Sequence, residues 1–187
     1  MNTNLKDKVR GSLFGFAIGD AMGATTEFMS AKSIKLKYGR VDQIIGGGWL
    51  NLKAGKVTDD TQMMLCVARA MMEHWGNTDA IIQQVSENFV AWLESGPIDV
   101  GTTCMRSIYA NRGKPWKDWI SYNQKHQRDV YREDLGNGGL MRCLVPCLLG
   151  DRYIAWQQSN LTHSNSTCCS AIDIYYWAEN DYLRDRP

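Results

Sequence analysis

Apolar positions recur at steps of three and four along most of the chain, the helical period, and nowhere alternate as a sheet strand would. The clearest run is Met63, Met64, Val67, Ala68, Met71, Met72 and Trp75. Gly76-Asn77 stops it and Thr78-Asp79 restarts the pattern. Ile81, Ile82, Val85, Phe89, Trp92 and Leu93 then form the next stripe, which ends at Gly96-Pro97. Leu5 to about Met22 predicts a first helix, and Ala31 to Lys37 a short one closed by Tyr38-Gly39. Further helices are expected from Thr102 toward Ala110, after Pro115, over Asp151 to Gln158, and from Ser166 to Asn180. Arg40 to Lys56 reads as an extended loop or short hairpin, Lys125 to Asp134 as a surface loop, and Leu161 to Asn165 as a polar break. The pattern predicts an all-α fold.

One helix breaks the ordinary rules. Gly11, Gly15, Gly19 and Gly23 fall every four residues, a ridge of missing side chains along one face. Each costs roughly 1 kcal/mol relative to Ala in a helix. The gain that offsets this is close approach, by another helix backbone or by a ligand. A membrane-packing reading fails, because the apolar run from Leu13 to Ala24 is too short to span a bilayer and contains Asp20.

Composition narrows the class without naming a function. A chain of 187 residues, 44% hydrophobic and 22% charged, fits one soluble globular domain over 1–187. A net charge of +1 argues against an electrostatically driven nucleic-acid or membrane partner. The six cysteines show no CxxC pair and no zinc spacing with His, and Cys66, Cys143 and Cys147 lie among apolar neighbours. Buried reduced thiols are expected, which suits a cytoplasmic protein. The N-terminus carries no signal-peptide core.

Chemistry concentrates at Thr58-Asp59-Asp60-Thr61, ahead of the Met63–Trp75 run. These residues suit a helix cap, since Thr and Asp accept hydrogen bonds from the free N–H groups of a first turn. They equally suit a hard divalent cation, which prefers carboxylate and hydroxyl oxygens. A cap needs only one such residue, and two adjacent carboxylates crowd negative charge. Asp99-Val100-Gly101-Thr102-Thr103 is a second acid-plus-hydroxyl cluster at a helix start. Gly136-Asn137-Gly138-Gly139 is either a plain turn or a phosphate cradle of backbone N–H groups. Taken singly, Asp20, Glu27 and His163 carry no more than an ordinary charge or a hydrogen-bonded histidine.

Together these motifs resemble the ADP-ribosylglycohydrolase family. Gly11-Ser-Leu-Phe-Gly-Phe-Ala-Ile-Gly-Asp-Ala-Met-Gly23 with Glu27-Phe28 is similar to the family's opening motif. Thr58-Asp59-Asp60-Thr61, Asp99 to Thr103, Gly136 to Arg142 and Thr162-His163 follow in the family's order. The resemblance implies a compact orthogonal helical bundle and a metal-dependent hydrolase that removes ADP-ribose from protein side chains. It implies two Mg²⁺ or Mn²⁺ ions with Thr58, Asp59 and Asp60 as ligands. Glu27 and Asp99 would do the catalytic work, Gly136, Asn137, Gly138 and Gly139 would wrap the pyrophosphate, and His163 would line the ribose pocket. The partner implied is an ADP-ribosylated protein or a small molecule containing ADP-ribose.

Departures from the family pattern set a competing expectation. Thr102 stands where the family has Asn, and Gly139-Leu140 where it has Ser-Ala. The family's C-terminal Asp-x-Asp-Thr is matched nowhere; the late acids are Asp173, Asp181 and Asp185. The chain is thus expected to lack the family's C-terminal helices and to present half of the metal site. It would be a fragment, a truncated product, or a chain completed by a partner. An inactive ADP-ribose-binding module or a structural protein is the alternative reading.

Overall fold

The structure, a computed structural model, describes residues 3–126 and 135–184. Most of the expected Lys125–Asp134 loop, and Asp185, lie outside the described residues. The helices are α1 (Thr3–Gly23), α2 (Ala31–Tyr38), α3 (Asp59–Glu73), α4 (Thr78–Glu94), α5 (Thr102–Asn111), α6 (Trp116–His126), α7 (Leu144–Leu148), α8 (Arg152–Asn160) and α9 (Ser166–Leu183). The all-α reading holds: among the described residues the sole extended pairing is an isolated bridge between Gly47 and Leu52. No helix there is long and apolar enough to cross a membrane.

Local sequence explains four of the helix starts. Ser30, Asn77, Asp151 and Asn165 each turn a side-chain oxygen onto a backbone N–H of the turn that follows. Thr58 precedes α3 and makes no such bond. Its helix is capped from elsewhere.

The apolar stripes meet as their period requires. Met63, Val67, Ala70 and Met71 of α3 pack with Ile81, Ile82, Val85 and Phe89 of α4. Ile108, Trp119 and Ile154 extend this core into α5, α6 and α8. Burying a side chain such as Phe89, fully enclosed here, contributes about 1.5–3 kcal/mol. Cys143, Cys147, Ala155 and Ile172 form a second cluster. In a third, Met64, Leu144 and Leu148 receive Val9, Leu13 and Phe16 of α1. All six cysteines are free thiols, and all but Cys169 are buried, as expected.

The glycine cluster folds as a tight turn set apart from the next helix. Asn137–Gly139 form a three-residue 3₁₀ turn, and α7 begins only at Leu144. Pro146 explains the delay, because its ring would clash with the carbonyl of Arg142 were the helix extended back that far. The glycine ridge of α1 has no helix backbone against it among the described residues, and Gly15, Gly19 and Gly23 line a hollow. A Cβ built on Gly11, Gly15, Gly19 or Gly23 meets nothing within 4 Å among the described residues. Phe14 and Ile18, on the same helix, are exposed.

Candidate active site

Two adjoining hollows collect most of the motif residues. One, of about 490 Å³, is lined by Glu27, Thr58, Asp60 and Asn137 together with Gly15, Gly19, Asp20 and Gly23 of α1. The other, about 230 Å³, is lined by Asp59, Gly136, Asn137, Gly138 and His163 with Thr102 to Cys104. Asn137 borders both, and the neighbouring carboxylates Asp59 and Asp60 each line one. A larger groove of about 780 Å³ contains none of the proposed site residues.

Asp20 holds this arrangement together. Its carboxylate accepts from Thr58 N (3.0 Å), Thr58 Oγ1 (2.7 Å), Thr61 N (3.2 Å) and Thr61 Oγ1 (2.5 Å). An acid on α1 therefore caps α3 across 38 residues of chain. Because Asp20 does this, Asp59 and Asp60 are not needed as caps. They sit in the first turn of α3, where the helix dipole favours negative charge. The Thr58 hydroxyl gives its proton to Asp20 and keeps lone pairs for another partner. Asp20→Asn leaves one acceptor oxygen for four donors. It should cost about 1.5 kcal/mol, a melting temperature lower by roughly 3–6 °C in a thermal scan.

Negative charge accumulates here without a compensating cation. Burial first, then the charge of Asp99, pushes the Asp59 carboxyl up, although Gly101 N–H donates to it. Burial, followed by Asp59 and Asp20, raises Asp60 to about 7. The neighbouring pair thus holds protons more tightly than two free carboxyls would. Asp99 thus acts on Asp59 through its charge but lines neither hollow.

His163 is built in from behind. Arg142 is fully enclosed and donates Nε to Gln158 Oε1 (2.7 Å) and Nη2 to Gln158 O (2.8 Å) and Thr162 Oγ1 (2.6 Å). Thr162 Oγ1 lies 2.8 Å from His163 Nδ1. The Thr162 hydroxyl, which accepts from Arg142, thus links that guanidinium to the imidazole ring. Burial, with Arg142 nearby, depresses His163 to about 3, so the ring is neutral at physiological pH.

The glycine turn has a steric reason. A Cβ on Gly138 would lie 2.5 Å from His163 Cε1 and 2.7 Å from Cys104 Sγ. On Gly139 it would lie 2.0 Å from Ser159 Oγ. Gly138 lets the turn close on His163. Gly139 lines neither hollow; it packs on α8 and its carbonyl accepts from Gln158 Nε2 (2.9 Å).

Of the residues singled out in the sequence, Glu27, Thr58, Asp59, Asp60, Gly136, Asn137, Gly138 and His163 are brought to the hollows. Asp99 and Gly139 stand just behind. Sequence reasoning missed the work of Asp20, Trp49 and Arg142. Asp20 and Arg142 lie inside quoted motifs, and that position was the available signal.

Thr58, Asp59 and Asp60 offer hard oxygens, and their crowded, uncompensated charge fits one side of a divalent-cation site. Among the described residues, no three His, Cys, Asp or Glu side chains come together as a fuller metal-binding group.

A sequence profile of the ADP-ribosylglycohydrolase family matches residues 1–185. The chain is 40% identical over 147 residues to the ADP-ribosyl-[dinitrogen reductase] glycohydrolase of Rhodospirillum rubrum, covering 78% of itself and 45% of that protein. It is 30% identical over 176 residues to the ADP-ribosylarginine hydrolase Tri1 of Pseudomonas putida, covering 89% of itself and 45% of that protein. A solved ADP-ribosylglycohydrolase-related protein complex shares the fold, with a TM-score of 0.74 and 24% identity over 96% of this chain and 57% of that one. The chain spans about half the length of the curated relatives it matches. Those matches, running through the residues that line both hollows, make the chain a member of the ADP-ribosylglycohydrolase family.

Proposed function

We propose that this chain carries part of a site that cleaves the glycosidic bond between ADP-ribose and a protein side chain. One observation carries the reading: Glu27, Thr58, Asp59, Asp60, Asn137 and His163 converge on two hollows that meet at Asn137. The relatives from Rhodospirillum rubrum and Pseudomonas putida, both named for acting on ADP-ribosylated substrates, support the substrate class.

Breaking the bond at the anomeric carbon develops positive charge on the ribose ring. Carboxylates fixed beside that carbon stabilise the charge without reorganising. Glu27 is the acid placed to meet a ribose hydroxyl or the developing cation from the α1 side. Asp99 reinforces the negative potential through Asp59. The neutral His163 offers its Nε2 to a ribose hydroxyl, and Gly136 and Asn137, both exposed, present backbone for the pyrophosphate. Thr58, Asp59 and Asp60 would hold Mg²⁺ or Mn²⁺, which when bound positions hydroxyls and lowers the pKa of a water.

A second reading has its own support. Among the described residues no three His, Cys, Asp or Glu side chains gather as a metal-binding group, which favours ADP-ribose recognition without turnover by this chain alone. Isothermal titration with ADP-ribose, with and without Mn²⁺, separates the cases when paired with a turnover assay on ADP-ribosyl-arginine. Metal-enhanced binding that is lost in Asp59→Ala/Asp60→Ala is the expected result. Binding without turnover selects the recognition module, and no heat from the folded chain overturns both readings.

A further inference from the structure

Glu27 is not a free side chain. Its Oε2 accepts from the indole Nε1–H of Trp49 at 2.7 Å, across 22 residues of chain. Hydrophobic burial does not account for this placement, since Trp49 stays 54% exposed and its neighbour Phe28 82% exposed. The two rings meet edge to face at 5.4 Å. Phe28 takes a positive φ of 59° to make the turn that follows Glu27, a conformation rare for a bulky residue and tolerated where its surroundings enforce it.

The loop carrying Trp49 is tied down by backbone contacts next to Glu27. Thr25 Oγ1 donates to Gly46 O at 3.0 Å. Gly47 and Leu52 exchange backbone hydrogen bonds of 2.7 and 2.9 Å. Gly48 passes so near the end of α1 that a Cβ there would lie 2.1 Å from Ala24 O. No other residue type fits that approach, and Trp49 is the next residue along. The clamp delivers an indole to one carboxylate oxygen and little else.

We infer that Trp49 is a positioning residue for Glu27: its indole N–H holds Oε2 and leaves Oε1 as the acceptor facing the hollow that Glu27 lines. A neutral N–H donating to a carboxylate is a charge-assisted bond that fixes orientation. The inference rests on the proposed reading in one respect, that Glu27 meets the ribose. It stands apart from that reading in the hydrogen bond itself, and the two are tested separately.

The test is a ¹H–¹⁵N spectrum of the indole N–H groups of the full chain, titrated between about pH 3 and pH 8. Trp49→Phe identifies the Trp49 signal. That signal should follow a single ionisation, and the movement should vanish in Glu27→Gln. The second variant also separates Glu27 from Asp20 and Asp60, the other acids lining the hollow. In ADP-ribose titrations, Trp49→Phe should weaken affinity about tenfold, the value of one charge-assisted bond. Trp49→Phe added to Glu27→Ala, which leaves no acceptor for the indole, should cost nothing more. An indole signal indifferent to Glu27→Gln overturns the inference, and so do additive losses in the double variant. If ADP-ribose binds to no form while the indole still follows Glu27, the proposed function fails and the hydrogen bond stands.

Discussion

Arg142→Lys should lower the melting temperature by roughly 6–12 °C, the equivalent of about 3 kcal/mol in a chain of this size. The substitution keeps the charge and loses the geometry. Arg142 is wholly buried, and its hydrogen-bonding partners are Gln158, Thr162 and the sulfurs of Met63 and Cys104, with no carboxylate among them. The guanidinium also stacks 4.4 Å from the centre of the Phe89 ring. Burial already pushes its pKa down. A lysine ammonium is a compact point charge that cannot fork between Gln158 and Thr162, so a buried cation would remain with fewer partners. Stranded acceptors cost about 1–3 kcal/mol each. Arg142→Met strands the same acceptors but also removes the unpaired charge, so it should be the milder change. Thermal scans of the two variants give the order. A lysine variant that melts with the parent would show that the fork does not hold this part of the core.

In the metal-free chain, Asp60→Asn should be stabilising at pH 8 and close to neutral at pH 4. The sign follows from the raised Asp60 carboxyl, at about 7 in the folded chain against an ordinary 3.8. Between those values the folded state binds more protons than the unfolded one, so stability falls as pH rises. Below about pH 4 both states are protonated and nothing is lost; above about pH 7 the whole penalty applies. Asn removes the titration and therefore the loss. Mn²⁺ should act in the opposite sense on the parent, raising its melting temperature at pH 8 by binding the folded state alone. That rise should disappear in Asp59→Asn/Asp60→Asn. Melting curves in chelator and in Mn²⁺ at the two pH values decide it. If the gap between parent and Asp60→Asn does not widen with pH, the carboxylates are not crowded as described.

Much of this was legible in the sequence, for a physical reason. A helix that buries one face repeats its apolar residues every three to four positions, so α3, α4 and α9 could be bounded to within a few residues. The Thr58–Asp60 cluster, the glycine turn and His163 stood out because motifs that carry chemistry stay contiguous. What stayed hidden acts across distance. A cap is expected just ahead of its helix, and Asp20 lies on another helix altogether. Trp49 sits in a glycine-rich loop, where an aromatic residue gives no periodic signal. Arg142 closed a motif with no sign of burial, and the packing of α3, α5 and α8 encloses it. Nothing in the sequence marked the room that the missing side chain of Gly139 leaves for Ser159.

The cap that Asp20 supplies makes assembly of the site depend on the order in which the chain folds. The α3–α4 core closes with contacts near in sequence, which form early at little loop-closure cost. Helix α1 brings to the core only one buried residue, Ala21, besides the half-buried Val9, Leu13 and Phe16. It is held more weakly than the helices it rests on, and it opens at a lower free energy than the whole molecule. Each such opening withdraws Asp20 from Thr58 and Thr61 and carries Glu27 away with it. The hydrophobic core therefore outlives the chemistry, and a chain that still looks folded to circular dichroism can already have its site dismantled.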